Sequence, residues 1–230
     1  METLIDPVKG KSIFISRKLG NNSPFDILLK EESVKLIDEP LIKTIRVPFS
    51  HTPQTDWIFF SSKNAISYFF SQSPVLPEGV KFGVIGKASA DFLFTFGKRA
   101  DFTGAGVDLT AIARSFRDVL QNDSVLFPQA MDSLQTIQKH LSFTNTTFNL
   151  YTYKTVIRND FELPYTDVLI FTSPSNVNAY YTKYRIDVRQ LVIAMGSTTK
   201  YQLSEFGIKN VLTPDSFDEA GLFKVMLQAS

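Results

Sequence analysis

The chain has 230 residues and 25.9 kDa, with 43% hydrophobic and 20% charged residues and a mean hydropathy of −0.02. This excludes disordered, collagen-like and low-complexity classes and leaves either one large domain or two small ones. Lys and Arg number 24 against 23 Asp and Glu, a net charge of +1, so no overall field draws nucleic acid or an anionic membrane, and any anion site has to be built locally.

The N-terminal stretch Met1–Pro7 carries acids and a proline but no apolar core, so it is not expected to be a signal peptide. No apolar run approaches the ~18 residues of a membrane span, and the chain is expected to be cytoplasmic. Strands are predicted at Ser12–Ser16, Trp57–Phe60, Phe82–Ile85, Ser124–Phe127, Val168–Phe171 and Leu191–Met195. Each leads through polar turn residues into a helical stretch: Phe25–Glu32, Asn64–Phe70, Ala88–Phe96, Ser133–Leu141, Asn176–Tyr181 and Thr198–Phe206. Further helices are predicted at Thr110–Leu120 and Glu219–Leu227. Short apolar runs alternating with segments of helical period are the pattern of βα units, and the fold class is α/β.

The chain also repeats itself. Asp56-Trp57-Ile58-Phe59-Phe60-Ser61-Ser62-Lys63-Asn64 aligns with Asp167-Val168-Leu169-Ile170-Phe171-Thr172-Ser173-Pro174-Ser175 at an offset of 111. Val84-Ile85-Gly86-Lys87-Ala88-Ser89 aligns with Ala194-Met195-Gly196-Ser197-Thr198-Thr199 at 110, and Ser12-Ile13-Phe14-Ile15 with Ser124-Val125-Leu126-Phe127 at 112. Three ordered blocks at nearly constant offset indicate two similar α/β halves. The stretches Pro40–Pro48 and Leu150–Ile157 fall at equivalent places and are extended in character. They read either as parts of two tandem domains or as twin crossovers between domains that exchange their first βα unit.

Ligands of open α/β sheets sit beyond the carboxyl ends of the strands, and here those ends carry hydroxyls. Ser173 is placed as a helix N-cap with Pro174 at the first helical position, and its counterpart is Ser62 in Ser61-Ser62-Lys63-Asn64. Gly86 and Gly196 turn strand into helix where the backbone can approach a ligand closely; Phe127-Pro128-Gln129-Ala130 makes a further strand end. Hydroxyls beside unpaired helix N–H groups can bind carboxylate or phosphate, or simply cap their own helices. Arg17 is either a bidentate carboxylate clamp or a surface arginine; Lys63 and Lys87 sit at helix starts, facing an anion or only solvent. Tyr153 is either a phenol that lends its proton to a leaving group or an ordinary aromatic on an extended segment.

Cysteine is absent, which excludes disulfides, thiolate nucleophiles and Cys-ligated metal, and His51 and His140 stand outside any metal-ligand spacing. There is no G-x-G-x-x-G opening a helix, no P-loop and no G-x-S-x-G elbow. Dinucleotide, nucleotide and hydrolase readings all weaken.

The ordered set Ile13-Phe14-Ile15-Ser16-Arg17, Ile58-Phe59-Phe60-Ser61-Ser62-Lys63, Val84-Ile85-Gly86-Lys87-Ala88-Ser89, Val125-Leu126-Phe127-Pro128-Gln129, Tyr153-Lys154-Thr155, Phe171-Thr172-Ser173-Pro174-Ser175 and Met195-Gly196-Ser197-Thr198-Thr199 resembles the uroporphyrinogen-III synthase family. The resemblance implies two parallel-sheet α/β domains, flavodoxin-like and doubly wound, joined by a two-stranded connector. Domain 1 is then 1–40 plus 158–230, domain 2 is 49–149, and the connectors are 41–48 and 150–157. It implies conversion of the linear tetrapyrrole hydroxymethylbilane to uroporphyrinogen III for haem, sirohaem or cobalamin synthesis. Water is lost and the terminal ring is inverted through a spirocyclic intermediate, with no metal or organic cofactor.

By that resemblance Tyr153 assists departure of the substrate hydroxyl. By it too Ser61, Ser62, Thr172, Ser173, Ser197, Thr198 and Thr199 hold an eightfold carboxylate, with Ser89 where many relatives carry Thr. Arg17, Lys63, Gly86, Lys87, Pro128, Gln129, Ser175 and Gly196 join them as substrate-binding candidates from their places at the strand ends, Gln129 standing where relatives often have Gly or Asp. The expected partners are this substrate and a transient handover from hydroxymethylbilane synthase, with no nucleic acid or membrane and the protein a monomer. The competing readings are a non-catalytic two-lobed protein binding a small anion, and a divergent duplicate that keeps the fold without activity.

Overall fold

The computed structural model describes residues 6–106 and 108–229. The residues before Asp6, on which most of the signal-peptide reading falls, lie outside the described residues. The chain divides into two compact units, Met1–Lys43 with Val156–Ser230, and Thr44–Thr155.

In chain order the strands and helices are β1 (Ser12–Ile15), β2 (Lys35–Asp38), β3 (Ile42–Arg46), β4 (Trp57–Phe60), α1 (Lys63–Phe70), β5 (Lys81–Ile85), α2 (Lys87–Phe94), β6 (Phe102–Gly104), α3 (Leu109–Leu120), β7 (Val125–Ala130), α4 (Thr136–Leu141), β8 (Thr147–Ile157), β9 (Val168–Phe171), α5 (Pro174–Lys183), β10 (Leu191–Ala194), α6 (Ser197–Glu205), β11 (Val211–Leu212) and α7 (Glu219–Ala229). The helix predicted over Phe25–Glu32 is instead a 3-10 helix, Pro24–Lys30, capped by Ser23. Phe25 and Leu28 are both fully buried, and the three-residue turn stacks them on one face.

The first sheet has the order β11-β10-β9-β1-β2 and the second β3-β8-β7-β4-β5-β6. Counted along its own unit, the first is 2-1-3-4-5, the flavodoxin order. The second repeats the same spatial arrangement, with β7 and β8 in the places of β1 and β2 and with β3 added at the edge. Apart from the β3–β8 pair at the edge of the second sheet, the strand pairings are parallel, which explains the continuous apolar runs: helices cover both faces of such sheets. On β1 and β9, Phe14, Leu169 and Phe171 pack with α5 and α6 residues such as Val177 and Leu203, whereas Ile13, Ile15, Val168 and Ile170 pack with Phe25, Leu222 and Met226. On β4, Trp57 and Phe59 meet Phe116 of α3, and Ile58 and Phe60 meet Ile66 and Phe69 of α1. The ring centroids of Phe59 and Phe116 are 4.7 Å apart, and truncating a ring so enclosed costs about 3–5 kcal/mol.

The strand pairing crosses the duplication. Ser12 of the first repeat donates its backbone N–H and its hydroxyl to Asp167 of the second, both at 2.7 Å. Ser124 of the second repeat does the same to Asp56 of the first, at 2.8 and 2.7 Å. In return the Asp167 and Asp56 N–H groups are bound by the Ser12 and Ser124 hydroxyls. Each unit thus takes two parallel strands, β1 and β2 or β7 and β8, from one repeat and three, β9–β11 or β4–β6, from the other. The chain passes between the units within β3 and again within β8. These two strands run antiparallel, since Val47 N–H binds the Thr152 carbonyl at one end and Arg158 N–H the Leu41 carbonyl at the other.

Candidate functional site

A crevice opens in a doubly wound sheet where neighbouring strands send their connections to opposite faces. In the second unit that place is the carboxyl end between β4 and β7. Their ladder runs only from Trp57–Val125 to Ile58–Leu126, and beyond it lies Pro128, whose missing N–H matters least where no partner strand continues. Here β4 ends in Ser61 and Ser62. Ser62 is the N-cap of α1 in extended backbone, φ −158 and ψ 157, and its Oγ accepts the Ala65 N–H at 3.1 Å.

The same Oγ lies 3.2 Å from the phenol oxygen of Tyr153 on β8. A bulge brings them together. Gln129 is opposite Tyr151 but Ala130 is opposite Tyr153, so Thr152 is the extra residue and the alternation of β8 is reversed beyond it. Leu150 and Tyr153, three apart, therefore join the same hydrophobic cluster beneath α1 and α2; in a regular strand they would face opposite ways.

Tyr153 is only 8% exposed. Burial raises its pKa above the ordinary 10.0, the Ser62 hydrogen bond pulls it back, and the charges of Asp132 and Tyr68 push it further up. The phenol is therefore protonated at neutral pH. Ser62 Oγ accepts the Ala65 N–H and also carries a proton that it can offer to the phenol oxygen. A phenolate formed here would be met by a hydroxyl anchored to the positive end of a helix.

The other predicted residues of this unit divide by exposure. Ser61 and Lys63 are exposed at the same strand end, with the Lys63 ammonium 5.9 Å from the Phe92 ring centre. Gly86 adopts φ 73, with nothing within 4 Å of where a Cβ would stand. Lys87, read as facing an anion or only solvent, makes an exposed pair with both carboxylate oxygens of Asp91 at 2.9 Å, one helical turn away. Ser89 is buried. Gln129 is buried too, its amide spent on Asn149 and Gln138, so its side chain holds β7, β8 and α4 together.

In the first unit the matching crevice lies between β1 and β9. Thr172 N–H donates to Ser16 Oγ at 2.9 Å, and the two hydroxyls are 3.3 Å apart. Ser173 caps α5 at φ −159 and ψ 157, matching Ser62 to within a degree, but its Oγ takes the N–H and the amide of Asn176. Asn176 in turn accepts the Leu41 N–H at 3.1 Å. Arg17 is 3.7 Å from Glu219. Ser175 is half-buried, Ser197 and Thr198 are exposed, and Thr199 is buried. Gly196 is extended, φ −164, unlike its counterpart Gly86.

This geometry belongs with what known proteins offer for comparison. A family model described as uroporphyrinogen-III synthase HemD matches residues 24–224. The chain belongs to the uroporphyrinogen-III synthase family. Family membership makes it an enzyme of tetrapyrrole biosynthesis, a cyclising lyase. Among solved structures, the uroporphyrinogen-III synthetase from Helicobacter pylori 26695 is similar with a TM-score of 0.73 and 16% identity, covering 96% of this chain and 100% of that one. A mutant uroporphyrinogen III synthase from the extremely thermophilic bacterium Thermus thermophilus gives 0.59 and 16%, again over 96% and 100%. At such identity these two likenesses speak for the fold alone. No curated protein sequence matches significantly. Among the described residues no helix is long and apolar enough to cross a membrane.

Three residues at the strand ends escape the sequence reading: Ser16, Tyr68 and Asn176. Ser16 stands inside a quoted motif, but nothing local marks it as the partner of Thr172. Tyr68 and Asn176 read as helix residues, and only the fold shows what their polar ends touch.

Proposed function

We propose that this lyase converts hydroxymethylbilane to uroporphyrinogen III with Tyr153 as the acid that assists departure of the substrate hydroxyl. The observation that carries the assignment is the Tyr153–Ser62 contact of 3.2 Å at a carboxyl-end crevice. The phenol proton goes to the leaving hydroxyl, which departs as water. The phenolate, held by the Ser62 proton, recovers a proton when the closing ring re-aromatises through its spirocyclic precursor, so the net loss is one water. General acid catalysis of this kind contributes about 100-fold or more, and the rest of the barrier falls to holding a flexible substrate in place.

The exposed and half-buried strand-end groups suit its carboxylates: Ser61 and Lys63 in one unit, Arg17, Thr172, Ser175, Ser197 and Thr198 in the other, with the Gly86 and Gly196 turns offering open backbone. In this reading Ser89, Thr199, Pro128 and Gln129 shape the strand ends from within, Ser173 keeps the α5 terminus in place, and Lys87 contributes through its pair with Asp91. The enzyme works without a cofactor, as a cytoplasmic monomer, on substrate handed over by hydroxymethylbilane synthase.

The test is to add the purified protein to a hydroxymethylbilane-generating system and resolve the isomers. Type III product is expected in place of the symmetric type I. Type I alone, with the bilane still bound, would instead make this a two-lobed anion-binding protein.

A further inference from the structure

Among the described residues, the aromatic ring stacked on Tyr153 is that of Tyr68, with centroids 5.1 Å apart and planes 16° from parallel. Tyr68 is itself tied down. Its hydroxyl donates to the Thr44 carbonyl at 2.8 Å, which spends its single proton, so the 2.9 Å contact with Thr44 Oγ1 is one in which the threonine donates. In the turn just past the end of α1, Gln72 donates to the Val47 carbonyl at 3.2 Å and accepts the Phe49 N–H at 3.4 Å. Tyr68 and Gln72 thus fasten α1 to the segment running from Thr44 to Phe49.

The same helix presents Ser62 to the phenol oxygen of Tyr153. Tyr153 is therefore gripped by one helix at two points, at its oxygen by the N-cap and on its ring face by Tyr68. A stacked ring fixes the plane of its neighbour and keeps water off one face, and an acid works only when its proton is aimed. We propose that Tyr68 is a positioning residue for the reaction, a ring pinned by Thr44 that sets the plane of Tyr153. The proposal rests on the acid role of Tyr153, and the experiment separates the two.

Steady-state formation of type III product is measured against pH for Tyr68→Leu, Tyr68→Phe, Tyr153→Phe and the double variant Tyr68→Leu/Tyr153→Phe. Tyr68→Leu is expected to lower kcat about tenfold with KM within about twofold. It should also shift the alkaline limb of kcat to lower pH, because a phenol that loses its dry neighbour ionises more easily. Tyr68→Phe keeps the stack but loses the Thr44 anchor, and a fall in kcat of about threefold is expected, with a small drop in the thermal midpoint from the lost hydrogen bonds. In the Tyr153→Phe background Tyr68→Leu should add nothing, as required of a residue acting through Tyr153. Wild-type kcat and an unmoved alkaline limb in Tyr68→Leu, with activity lost in Tyr153→Phe, would overturn this proposal alone. An equal loss from Tyr68→Leu in both backgrounds would overturn it too, by showing a structural effect independent of Tyr153. Full turnover in Tyr153→Phe would remove the acid role and this proposal with it. If Tyr68→Leu does not fold, the Tyr68→Phe variant decides: an unchanged kcat, whatever the thermal midpoint, would overturn the proposal.

Discussion

The carboxyl ends of the two sheets are built on one plan and differ in what the plan holds. Ser62 and Ser173 cap α1 and α5 with backbone angles that agree within a degree. Below them the Asp56–Ser124 and Asp167–Ser12 clasps are near copies. Yet Ser62 faces a phenol, and Ser173 faces the amide of its own helix residue Asn176. Lys154 aligns with Lys43, so Tyr153 corresponds to Ile42, which packs against the apolar core of the first unit. A duplicated scaffold thus carries an ionisable group once. The caps, strand ends and clasps are the shared device; the bulge at Thr152 and the residue it turns inward are what distinguish the second unit.

The sharpest way to break that contrast is Tyr153→Phe, expected to lower type III formation about 100-fold in a coupled assay while the folded spectrum is unchanged. Undiminished turnover would make the two crevices equivalent after all. A paired comparison comes next. Ser62→Ala and Ser173→Ala each remove a helix cap and should each cost about 1 kcal/mol in denaturant unfolding, but only Ser62→Ala should also depress kcat. Equal kinetic loss from both would show that the hydroxyls serve the reaction alike.

The glycine turns offer a third asymmetry. Gly86→Ala forces a side chain into φ 73 and ψ 156, a region essentially reserved for glycine, and should destabilise by about 1–3 kcal/mol. Gly196→Ala sits in extended backbone, where a Cβ would meet only Phe217 at 3.8 Å, and should be tolerated. The smallest effect is the one the units share. Asp56 and Asp167 are held below the ordinary 3.8 by the N–H and then the hydroxyl of Ser124 and Ser12. Each stabilises the fold at neutral pH and loses that contribution as pH falls below about 4 towards its lowered folded value. Asp56→Asn and Asp167→Asn should each flatten the acid limb of stability measured by thermal unfolding, by similar amounts.

How much of this could be read from the sequence depends on range. Trp57–Phe60 and Val168–Phe171 are legible to the residue because strands buried on both faces are unbroken apolar runs between turn signals. Lys35–Asp38, Phe102–Gly104 and Val211–Leu212 escape such a reading because short or half-exposed strands near a sheet edge carry little apolar signal. In the site, Ser62 and Ser173 are legible as caps, since a cap is a matter of three residues. The phenol that meets Ser62 is 91 residues away. Its direction depends on one extra residue in β8, and a regular alternation would have aimed Tyr153 away from Leu150 and the α1 face. Lys87 reads as a helix-start cation from the sequence, and only the fold shows its exposed pairing with Asp91, one turn later.

The sequence by itself determined the α/β class, the duplication, the helix caps and the family resemblance, because periodicity, cap chemistry and motif order are local or cumulative signals. The residues themselves left open which halves pair; the exchange was an implication of the family resemblance, and the tertiary structure is what carries it out. Each repeat carries both a serine and an aspartate for the clasp, so Ser12 could close on Asp56 or on Asp167 with the same chemistry, and no local preference separates them. Only the packing of whole sheets makes the choice, and with it the placing of Tyr153 against Ser62 and Tyr68.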